Sequence, residues 1–449
     1  MTRPGQFADR VAGVFATRIT QFVIGFATSF LMARLLGPEG RGAYYLVVLT
    51  PAMLFALGQF GLPSAVNFFA GRGRSGRDLQ RMSLVLAGIL AAALLAITLP
   101  ALPLLTDSIL RAAPADLLPV ALISLPLQYV AAFGGALLIG RQTMARYNLI
   151  LVGQSIGTLV SVVIFVGVMR MGVAGAVIGN LVVAGAGALA ITLEARRVTA
   201  HDTEARPVRL GELAGYGLRL YPASLSSFFG YRADIFLLGA LLGDAGAIGL
   251  YSIAVSLAEL TFFVPDSVST VFFPRVAAAA RASADEMTPI VSRFTVMITA
   301  ISVIALVPAA FVLVLVVLPA FADSLPAFLV ILPGILVLSV AKVLSSYITG
   351  LGLPLPVATA SVISLVVNVA ANLLLIPAWG IVGASAASMI SYTVQAAILL
   401  GMATRLTHRG PAAFLLPGRE EVQRLRDGVI GLLATVRRRG ANDGLGEDR

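Results

Sequence analysis

The sequence predicts an all-α polytopic membrane protein with twelve transmembrane helices, arranged as two parallel six-helix repeats. Three observations lead to this fold class. Hydrophobic residues make up 58% of the 449-residue chain and charged residues only 12%, whereas a soluble protein keeps roughly a quarter of its residues charged. The apolar residues are gathered into long continuous stretches, and the two halves of the chain resemble each other.

Each apolar stretch is long enough to cross a bilayer, because a spanning helix needs about 20 mostly apolar residues. The stretches are too long and too uniformly apolar for β-barrel strands, which alternate over about ten residues. The first and seventh stretches are the most polar. In chain order, the predicted helices are Val11–Leu35, Tyr44–Phe69, Met82–Leu105, Leu117–Ile139, Tyr147–Met169, Gly172–Leu193, Leu213–Leu241, Ala247–Pro274, Pro289–Leu318, Leu325–Gly350, Leu355–Ile376 and Gly380–Thr404.

The distribution of positive charge predicts the orientation. With the N-terminus inside, the inner segments hold 23 of the 32 arginine and lysine residues and the outer loops hold 3. Short cytoplasmic segments of membrane proteins carry such an excess. We therefore expect both termini in the cytoplasm. The net charge of +10 is mostly this topology signal, and we expect no nucleic-acid partner.

The sequence contains no motif that predicts an enzyme or a bound cofactor. Its two histidines, His201 and His408, both fall in predicted cytoplasmic stretches, and the sequence contains no metal-spaced cluster, P-loop or nucleophile elbow. It contains no cysteine, so disulfides are excluded. The first apolar run continues far past a signal-peptide core, so we expect it to stay in the membrane. We predict no catalytic residue, no metal site and no cofactor.

Two pairs of matching stretches indicate a duplication. LLGPEGRGAY (Leu35–Tyr44) resembles LLGDAGAIGLY (Leu241–Tyr251), and MGVAGA (Met171–Ala176) resembles WGIVGA (Trp379–Ala384). Both pairs occupy equivalent places in a six-helix unit. Because six is even, both halves start from the cytoplasm, which gives a parallel repeat about an axis along the membrane normal. The predicted domains are an N-terminal bundle (1–193), a cytoplasmic linker (194–212), a C-terminal bundle (213–404) and a basic cytoplasmic tail (405–449).

The tail carries apolar residues at helical spacing between Val422 and Val436, surrounded by arginines. This pattern is typical of a basic amphipathic helix lying on the inner leaflet. A solvated tail with weak helicity explains it equally well.

Charged residues inside the predicted helices are the main functional signal, because each costs a few kcal/mol at mid-bilayer. Spacings of three and four residues align side chains along one helical face. Such a polar face is formed in the first helix by Arg18, Gln21, Gly25, Thr28 and Met32, in the seventh by Arg219, Pro222, Ser226, Gly230 and Asp234, and in the eighth by Ser252, Ser256, Glu259, Phe263, Asp266 and Thr270.

The cationic residues suit an anion site, because a guanidinium presents a planar fork of donors to phosphate oxygens. The candidate substrate-binding residues are Arg18, Gln21, Arg219, Arg232 and Lys342. Internal ion pairing is the alternative, for example between Arg232 and Glu259 or between Arg219 and Asp266.

The intramembrane acids are candidates for a second role. Asp234, Glu259 and Asp266 could bind a proton or Na⁺ that couples transport. Polar stripes also occur in the fifth and eleventh helices, and they could either line a pathway or bond packed helices together. These stripes are Gln154, Ser155, Thr158 and Ser161, and Ser361, Ser364, Asn368 and Asn372.

The stretch from Ala27 to Arg72 resembles the opening of bacterial oligosaccharide-lipid flippases, which are polysaccharide biosynthesis proteins of the multidrug/oligosaccharidyl-lipid/polysaccharide exporter superfamily. Its most specific part is ARLLGPEGRGAY, Ala33–Tyr44, which fits A-R-L-L-G-P-E-G-x-G-x-Y, and GLPSA, Gly61–Ala65, supports it. The later half of the chain resembles the family mainly in architecture.

The resemblance implies two helix bundles around a central cavity, alternating access, and a location in the bacterial inner membrane. It implies a cargo of polyprenyl diphosphate bearing an oligosaccharide. Related flippases have a cationic cavity, in which arginines on the first and on the seventh or eighth helices face the diphosphate. Arg18, Arg219 and Arg232 occupy comparable places here. Membrane lipid and polysaccharide assembly proteins are the other expected partners.

Three alternatives stay open. An ion-coupled drug or small-molecule exporter would need the acids instead of the arginines. The second is a membrane-embedded sugar polymerase or ligase. Such enzymes usually carry a large outer loop, which this sequence lacks. A scaffold for a polysaccharide assembly complex would not need intramembrane charges. Peptidoglycan lipid carriers of the superfamily usually have fourteen helices, and this sequence has room for twelve.

Overall fold

The computed structural model describes residues 4–200 and 206–416, and these residues form helices and no strand. Short π-helical segments (Val162–Val168 and Leu313–Val317) and 3-10 segments (Leu260–Phe262 and Pro319–Ser324) adjoin the α-helices. The α-helices are α1 (Pro4–Gly58), α2 (Leu62–Gly71), α3 (Gly76–Asp107), α4 (Leu117–Leu122), α5 (Ser124–Gly140), α6 (Met144–Ser161), α7 (Gly172–Thr199), α8 (Leu210–Leu242), α9 (Ala245–Glu259), α10 (Phe263–Ala278), α11 (Arg281–Val312), α12 (Leu325–Gly350), α13 (Pro354–Thr407) and α14 (Ala412–Leu415).

Among the described residues, nine helical spans are long and apolar enough to cross a membrane. The prediction of an all-α polytopic membrane protein is confirmed. The predicted seventh helix corresponds to α8, which has 33 residues but is not one of these nine spans. Its two arginines and its aspartate within the predicted span make it more polar than its neighbours.

Helix α1 reverses direction at Gly37, which has φ 68° and ψ −179°. Nη1 of Arg41 donates a hydrogen bond of 2.5 Å to the carbonyl oxygen of Ser29, 12 residues earlier. A continuous helix would separate these positions by about 18 Å at 1.5 Å per residue. The segments before and after Gly37 therefore lie side by side, and they correspond to the first two predicted helices.

Helix α13 reverses in the same way at Gly380, with φ 54° and ψ −130°. A Cβ atom on Gly383 would lie 2.1 Å from the carbonyl oxygen of Leu375. Eight residues of continuous helix would span about 12 Å, so the chain folds back here as well. These two arms correspond to the eleventh and twelfth predicted helices. The full arrangement of twelve helices in two repeats stays a prediction.

The chain forms two compact units, each built from several stretches of sequence. Unit 1 comprises Met1–Leu257, Ala309–Ile331 and Ser361–Ile390, and unit 2 comprises Ala258–Pro308, Leu332–Ala360 and Ser391–Arg449. The predicted bundles, linker and tail stay predictions. The predicted tail helix lies in residues 417–449, outside the described residues, as do residues 201–205 of the linker.

Clusters of buried side chains pack the described part of unit 1. One surrounds Tyr129 and Phe133 of α5, a second surrounds Leu46 of α1 and Tyr251 of α9, and a third includes Met32 of α1. Because lipid is as apolar as these side chains, burial alone does not drive helices together in a membrane, and close van der Waals contact does.

The closest backbone contact in the second of these regions joins the two duplicated motifs. A Cβ atom on Gly42 of α1 would lie 1.7 Å from the carbonyl oxygen of Ala245, and one on Gly249 of α9 would lie 2.0 Å from that of Pro38. Only glycine permits such an approach. The contact is reciprocal, as it would be if a twofold rotation related the two motifs.

Polar contacts fasten the ends of the unit 1 helices that were predicted to face the cytoplasm. Arg74 pairs with Glu212 at 2.7 Å, and Arg146 pairs with the buried Glu194 at 2.8 Å. Nη2 of Arg77 donates to the carbonyl oxygen of Ala200 at 2.7 Å. These contacts tie α7, α8 and the segment between them to the rest of the unit.

Candidate functional site

A cavity of about 260 Å³ lies inside unit 1, between both arms of α1 and helix α6. It brings together two of the predicted stripes, because the first helix contributes Gly25, Thr28 and Met32 and the fifth contributes Ser155 and Thr158. The full lining is Gly25, Thr28, Ser29, Met32, Arg41, Tyr44, Tyr45, Ser155 and Thr158.

Arg41 is the charged residue of this cavity, and only 4% of it is exposed. Its Nε donates to Oγ of Ser252 at 2.7 Å. Its Nη1 donates to the carbonyl oxygen of Ser29 at 2.5 Å, and its Nη2 donates to Oγ of Ser29 at 2.9 Å. Within the described residues, no carboxylate forms an ion pair with Arg41. The cavity therefore holds a buried positive charge bonded to neutral oxygens.

Two of the hydroxyl groups that line the cavity donate to their own helix, α6. Oγ of Ser155 donates to the carbonyl oxygen of Leu151 at 3.1 Å, and Oγ1 of Thr158 donates to that of Gln154 at 2.9 Å. Because both hydroxyl protons are already used in these bonds, Ser155 and Thr158 can only accept hydrogen bonds from an occupant of the cavity. Arg41 and these hydroxyls thus suit an occupant with a negative group and hydroxyl donors.

Arg18 and Gln21 lie on α1, on the same face as Gly25 but nearer the predicted cytoplasmic end. Gln21 is half-buried. The side chain of Arg18 lies outside the part of the structure that is described.

Arg219 and Arg232 lie on α8 in different surroundings. Arg219 is exposed, and it makes no hydrogen bond or ion pair with another described residue. Arg232 is half-buried, and its contacts include a hydrogen bond of 3.3 Å from Nη1 to the carbonyl oxygen of Tyr231. Arg219 is therefore the more available of the two for a ligand.

Lys342 and Asp266 form an ion pair in unit 2. Nζ of Lys342 lies 2.6 Å from Oδ1 of Asp266, where the side chains are 15% and 51% exposed. The same ammonium lies 4.2 Å from the ring centroid of Phe262, within the range of a cation–π interaction. A predicted substrate-binding cation thus neutralises a predicted coupling acid, and the role of each stays a prediction.

The other two predicted acids lie in different units. Asp234 is 7% exposed and accepts hydrogen bonds from the hydroxyl of Tyr251 and from the backbone N–H of Ile235 at 2.9 Å. Both of these donors lie in unit 1. Glu259 is half-buried in unit 2, where it also has an interaction partner.

The stripe of the eleventh helix is packed inside unit 1. Nδ2 of Asn372 donates to both the carbonyl oxygen and Oδ1 of Asn368, each at 2.9 Å. Asn368 is 2% exposed and Asn372 is fully buried. Both bonds lie within one helix, so pathway lining and bonding between packed helices both stay predictions for this stripe.

Sequence reasoning missed Arg41, because the turn at Gly37 and Pro38 placed it in an outer loop. One signal could have identified it. The matching stretch of the second repeat, LLGDAGAIGLY, has no arginine, so Arg41 breaks the internal symmetry inside an otherwise shared motif.

Comparisons with known proteins agree on family and fold. A sequence model described as "Polysaccharide biosynthesis protein" matches residues 10–280, which is more than half of the chain. The structure is similar to that of the lipid II flippase MurJ in an inward closed conformation, with a TM-score of 0.69 and 14% identity over 88% of this chain and 87% of that one.

The fold is also similar to that of a multidrug resistance MATE family transporter of the MOP superfamily in an inward-facing conformation. The TM-score is 0.64, with 17% identity over 87% of this chain and 94% of that one. A MOP superfamily transporter from Pyrococcus furiosus matches with a TM-score of 0.61 and 16% identity over 90% and 94% of the two chains. No match is found among the curated proteins. The family match shows that the chain belongs to the polysaccharide biosynthesis protein family, and it has the fold of MOP superfamily transporters.

Proposed function

We propose that the protein is a flippase, which moves a polyprenyl-diphosphate-linked oligosaccharide from the inner to the outer leaflet of the bacterial inner membrane by alternating access. The observation that carries this proposal is the family match over residues 10–280. The cationic side chains within its helices support a cargo with an anionic head. The likeness to MurJ, which is named as a lipid II flippase, supports a lipid-linked cargo.

The head of such a cargo is the part that resists crossing, because charged and hydroxylated groups lose their water in the membrane. Arg18, Arg219 and Arg232 would replace that water at the diphosphate, since guanidinium groups bind phosphate oxygens with charge-assisted hydrogen bonds. Gln21 would donate to neighbouring oxygens, and Lys342 would add a further cation if cargo displaced Asp266. The polyprenyl tail would remain in lipid.

The membrane potential favours the outward direction. A diphosphate diester carries about two negative charges, and moving each outward from a negative interior releases about 2.3 kcal/mol per 100 mV. Return of H⁺ or Na⁺ on Asp234, Glu259 or Asp266 would add a second driving force. In this proposal those acids act as coupling groups.

Replacing the proposed anion-binding arginines tests this function. We expect Arg18→Ala and Arg219→Ala each to abolish export of lipid-linked sugars while the protein still reaches the membrane at normal levels. Arg111→Ala is the matched control, because Arg111 is also exposed but lies in a predicted outer loop. Full export by both of the first two variants would remove the anion-site role.

The second candidate is an ion-coupled small-molecule exporter. The fold shared with MATE transporters and the buried Asp234 favour it. This function predicts that Asp234→Asn stops transport of a drug-like cation while Arg219→Ala does not. A sugar polymerase or ligase would instead change the length of the product chains, without accumulation of intermediates on the inner leaflet.

A further inference from the structure

We propose that the cavity around Arg41 is an anion-binding subsite inside unit 1, which takes a compact oxyanion, a carboxylate or a phosphate, and is separate from the site of Arg18 and Arg219. The oxyanion could belong to an acidic sugar or could be a free ion. If it belongs to a sugar of the cargo, the assignment rests on the proposed function, whereas the existence of the subsite does not.

The electrostatics of the cavity call for an anion. Arg41 is buried, and within the described residues it bonds only to the oxygens of Ser29 and Ser252, which are neutral. A guanidinium has further N–H groups on both terminal nitrogens after these bonds are made. A buried cation without an acidic partner is costly in a membrane, and an oxyanion that accepts the remaining donors removes that cost.

The size and lining of the cavity suit a small hydroxylated molecule. About 260 Å³ is far more than the roughly 30 Å³ that one water molecule occupies in the liquid. The acceptor lone pairs of Ser155 and Thr158 would receive hydroxyl donors, while Tyr44 and Tyr45 supply aromatic surface. An inorganic phosphate would use only the Arg41 end, whereas an acidic sugar would use both.

Gly25 is the position at which a substitution can narrow the cavity. It is exposed and lines the cavity, and a Cβ atom built on it meets nothing within 4 Å. A valine side chain at this position would therefore occupy open space in the cavity without displacing the backbone. Gly88 of α3 is the matched control, because it is also exposed and has the same open surroundings but lies outside the cavity.

The competing explanation is that Arg41 only fastens the two arms of α1 to α9. Two variants separate this structural role from anion binding. Ser252→Ala removes the acceptor of Nε but leaves the charge in the cavity, whereas Gly25→Val narrows the cavity and removes none of the groups to which Arg41 donates. Arg41→Gln removes the charge. If the Arg41→Gln protein does not fold, Gly25→Val still tests the proposal.

The experiment measures ligand-induced shifts in the melting temperature of the purified full-length protein. The probes are sodium glucuronate, sodium phosphate, sodium chloride at the same ionic strength, and glucose. A ligand that binds only the folded state raises the melting temperature in proportion to its occupancy. Each probe is added separately. We expect glucuronate to stabilise the wild-type, Gly88→Val and Ser252→Ala proteins more than chloride or glucose does, and phosphate either to do the same or to have no effect.

We expect Gly25→Val and Arg41→Gln to bind the stabilising anion roughly ten-fold more weakly or worse, since hydrogen bonds to a charged group are strong. If glucuronate stabilises the protein and phosphate does not, the ligand of the subsite is an acidic sugar. If phosphate stabilises the protein as much as glucuronate does, the ligand is a free oxyanion. The proposal is overturned if chloride stabilises as much as the oxyanions, if none of them binds, or if Gly25→Val binds like the wild type. Arg219→Ala that binds the anion but does not export lipid-linked sugars would show that the two sites are distinct.

Discussion

Two arginines on long helices of unit 1 show how surroundings decide what a charge does. Arg41 is buried and makes three hydrogen bonds that join both arms of α1 to α9. Arg219 is exposed and makes no hydrogen bond or ion pair with another described residue. The first therefore contributes to stability as well as to any ligand site, whereas the second is free to serve a ligand.

This difference predicts that the same substitution destabilises the protein strongly at Arg41 and hardly at all at Arg219. We expect Arg41→Ala to lower the free energy of unfolding by about 2 to 4 kcal/mol, because it leaves buried serine oxygens without their donor and creates a cavity. Arg219→Ala should change it by no more than about 0.5 kcal/mol, as is usual for exposed positions. Chemical denaturation of both variants in the same detergent measures the difference, and equal stability of the two variants would contradict the account.

Much of the candidate site could be predicted at this scale, because helical spacing fixes which side chains share a face. The stripe of Gly25, Thr28 and Met32 and the stripe of Ser155 and Thr158 were predicted separately, and they line one cavity. Their meeting could not be predicted, because it depends on how α1 and α6 pack. The partner of Lys342 was also not predicted, because the paired positions are 76 residues apart.

At the scale of elements, the contact between α1 and α9 depends on two glycines. Gly42 and Gly249 allow each backbone to touch the carbonyl groups of the other helix. Such close approach of small residues is a main source of cohesion between membrane helices.

We expect Gly42→Ala and Gly249→Ala each to destabilise the protein by about 1 to 3 kcal/mol, because a Cβ atom would collide with backbone that cannot rotate away. Gly88→Ala is the control, since nothing lies within 4 Å of its Cβ position. Melting temperatures of the three purified variants check this expectation. A melting temperature for Gly42→Ala that equals the control would show that the helices separate at no cost.

The sequence predicted most elements but not their ends. Apolar length predicted the spans, and the gap between the predicted helices Val11–Leu35 and Tyr44–Phe69 contains Gly37, where α1 reverses. The extension of α7 to Thr199 was not predicted, because it depends on Glu194, which binds Arg146 of another helix. The π-helical segments were also missed, since one extra residue per turn leaves no mark in an apolar sequence.

At the scale of the whole molecule, the duplicated motifs bear on the predicted repeat. LLGPEGRGAY and LLGDAGAIGLY were matched from sequence alone, and in unit 1 Gly42 approaches the carbonyl oxygen of Ala245 while Gly249 approaches that of Pro38. Each motif therefore contacts the other, and the repeat itself stays a prediction.

Fold alone does not identify the cargo, because the same architecture serves proteins named as drug transporters and as a lipid flippase. In this account, the cationic residues of the helices are what favours a lipid-linked anionic cargo over a drug. Their positions were readable in the sequence, whereas the pairing of Lys342 and the burial of Arg41 needed the packed structure.

The most direct test of the central claim is a leaflet-resolved measurement of lipid-linked oligosaccharides in cells that lack the protein. The account predicts that these lipids accumulate on the cytoplasmic leaflet, and that the wild-type protein, but not Arg219→Ala, restores them to the outer leaflet. Normal amounts on the outer leaflet of the deletion strain, with no cytoplasmic accumulation, would contradict it.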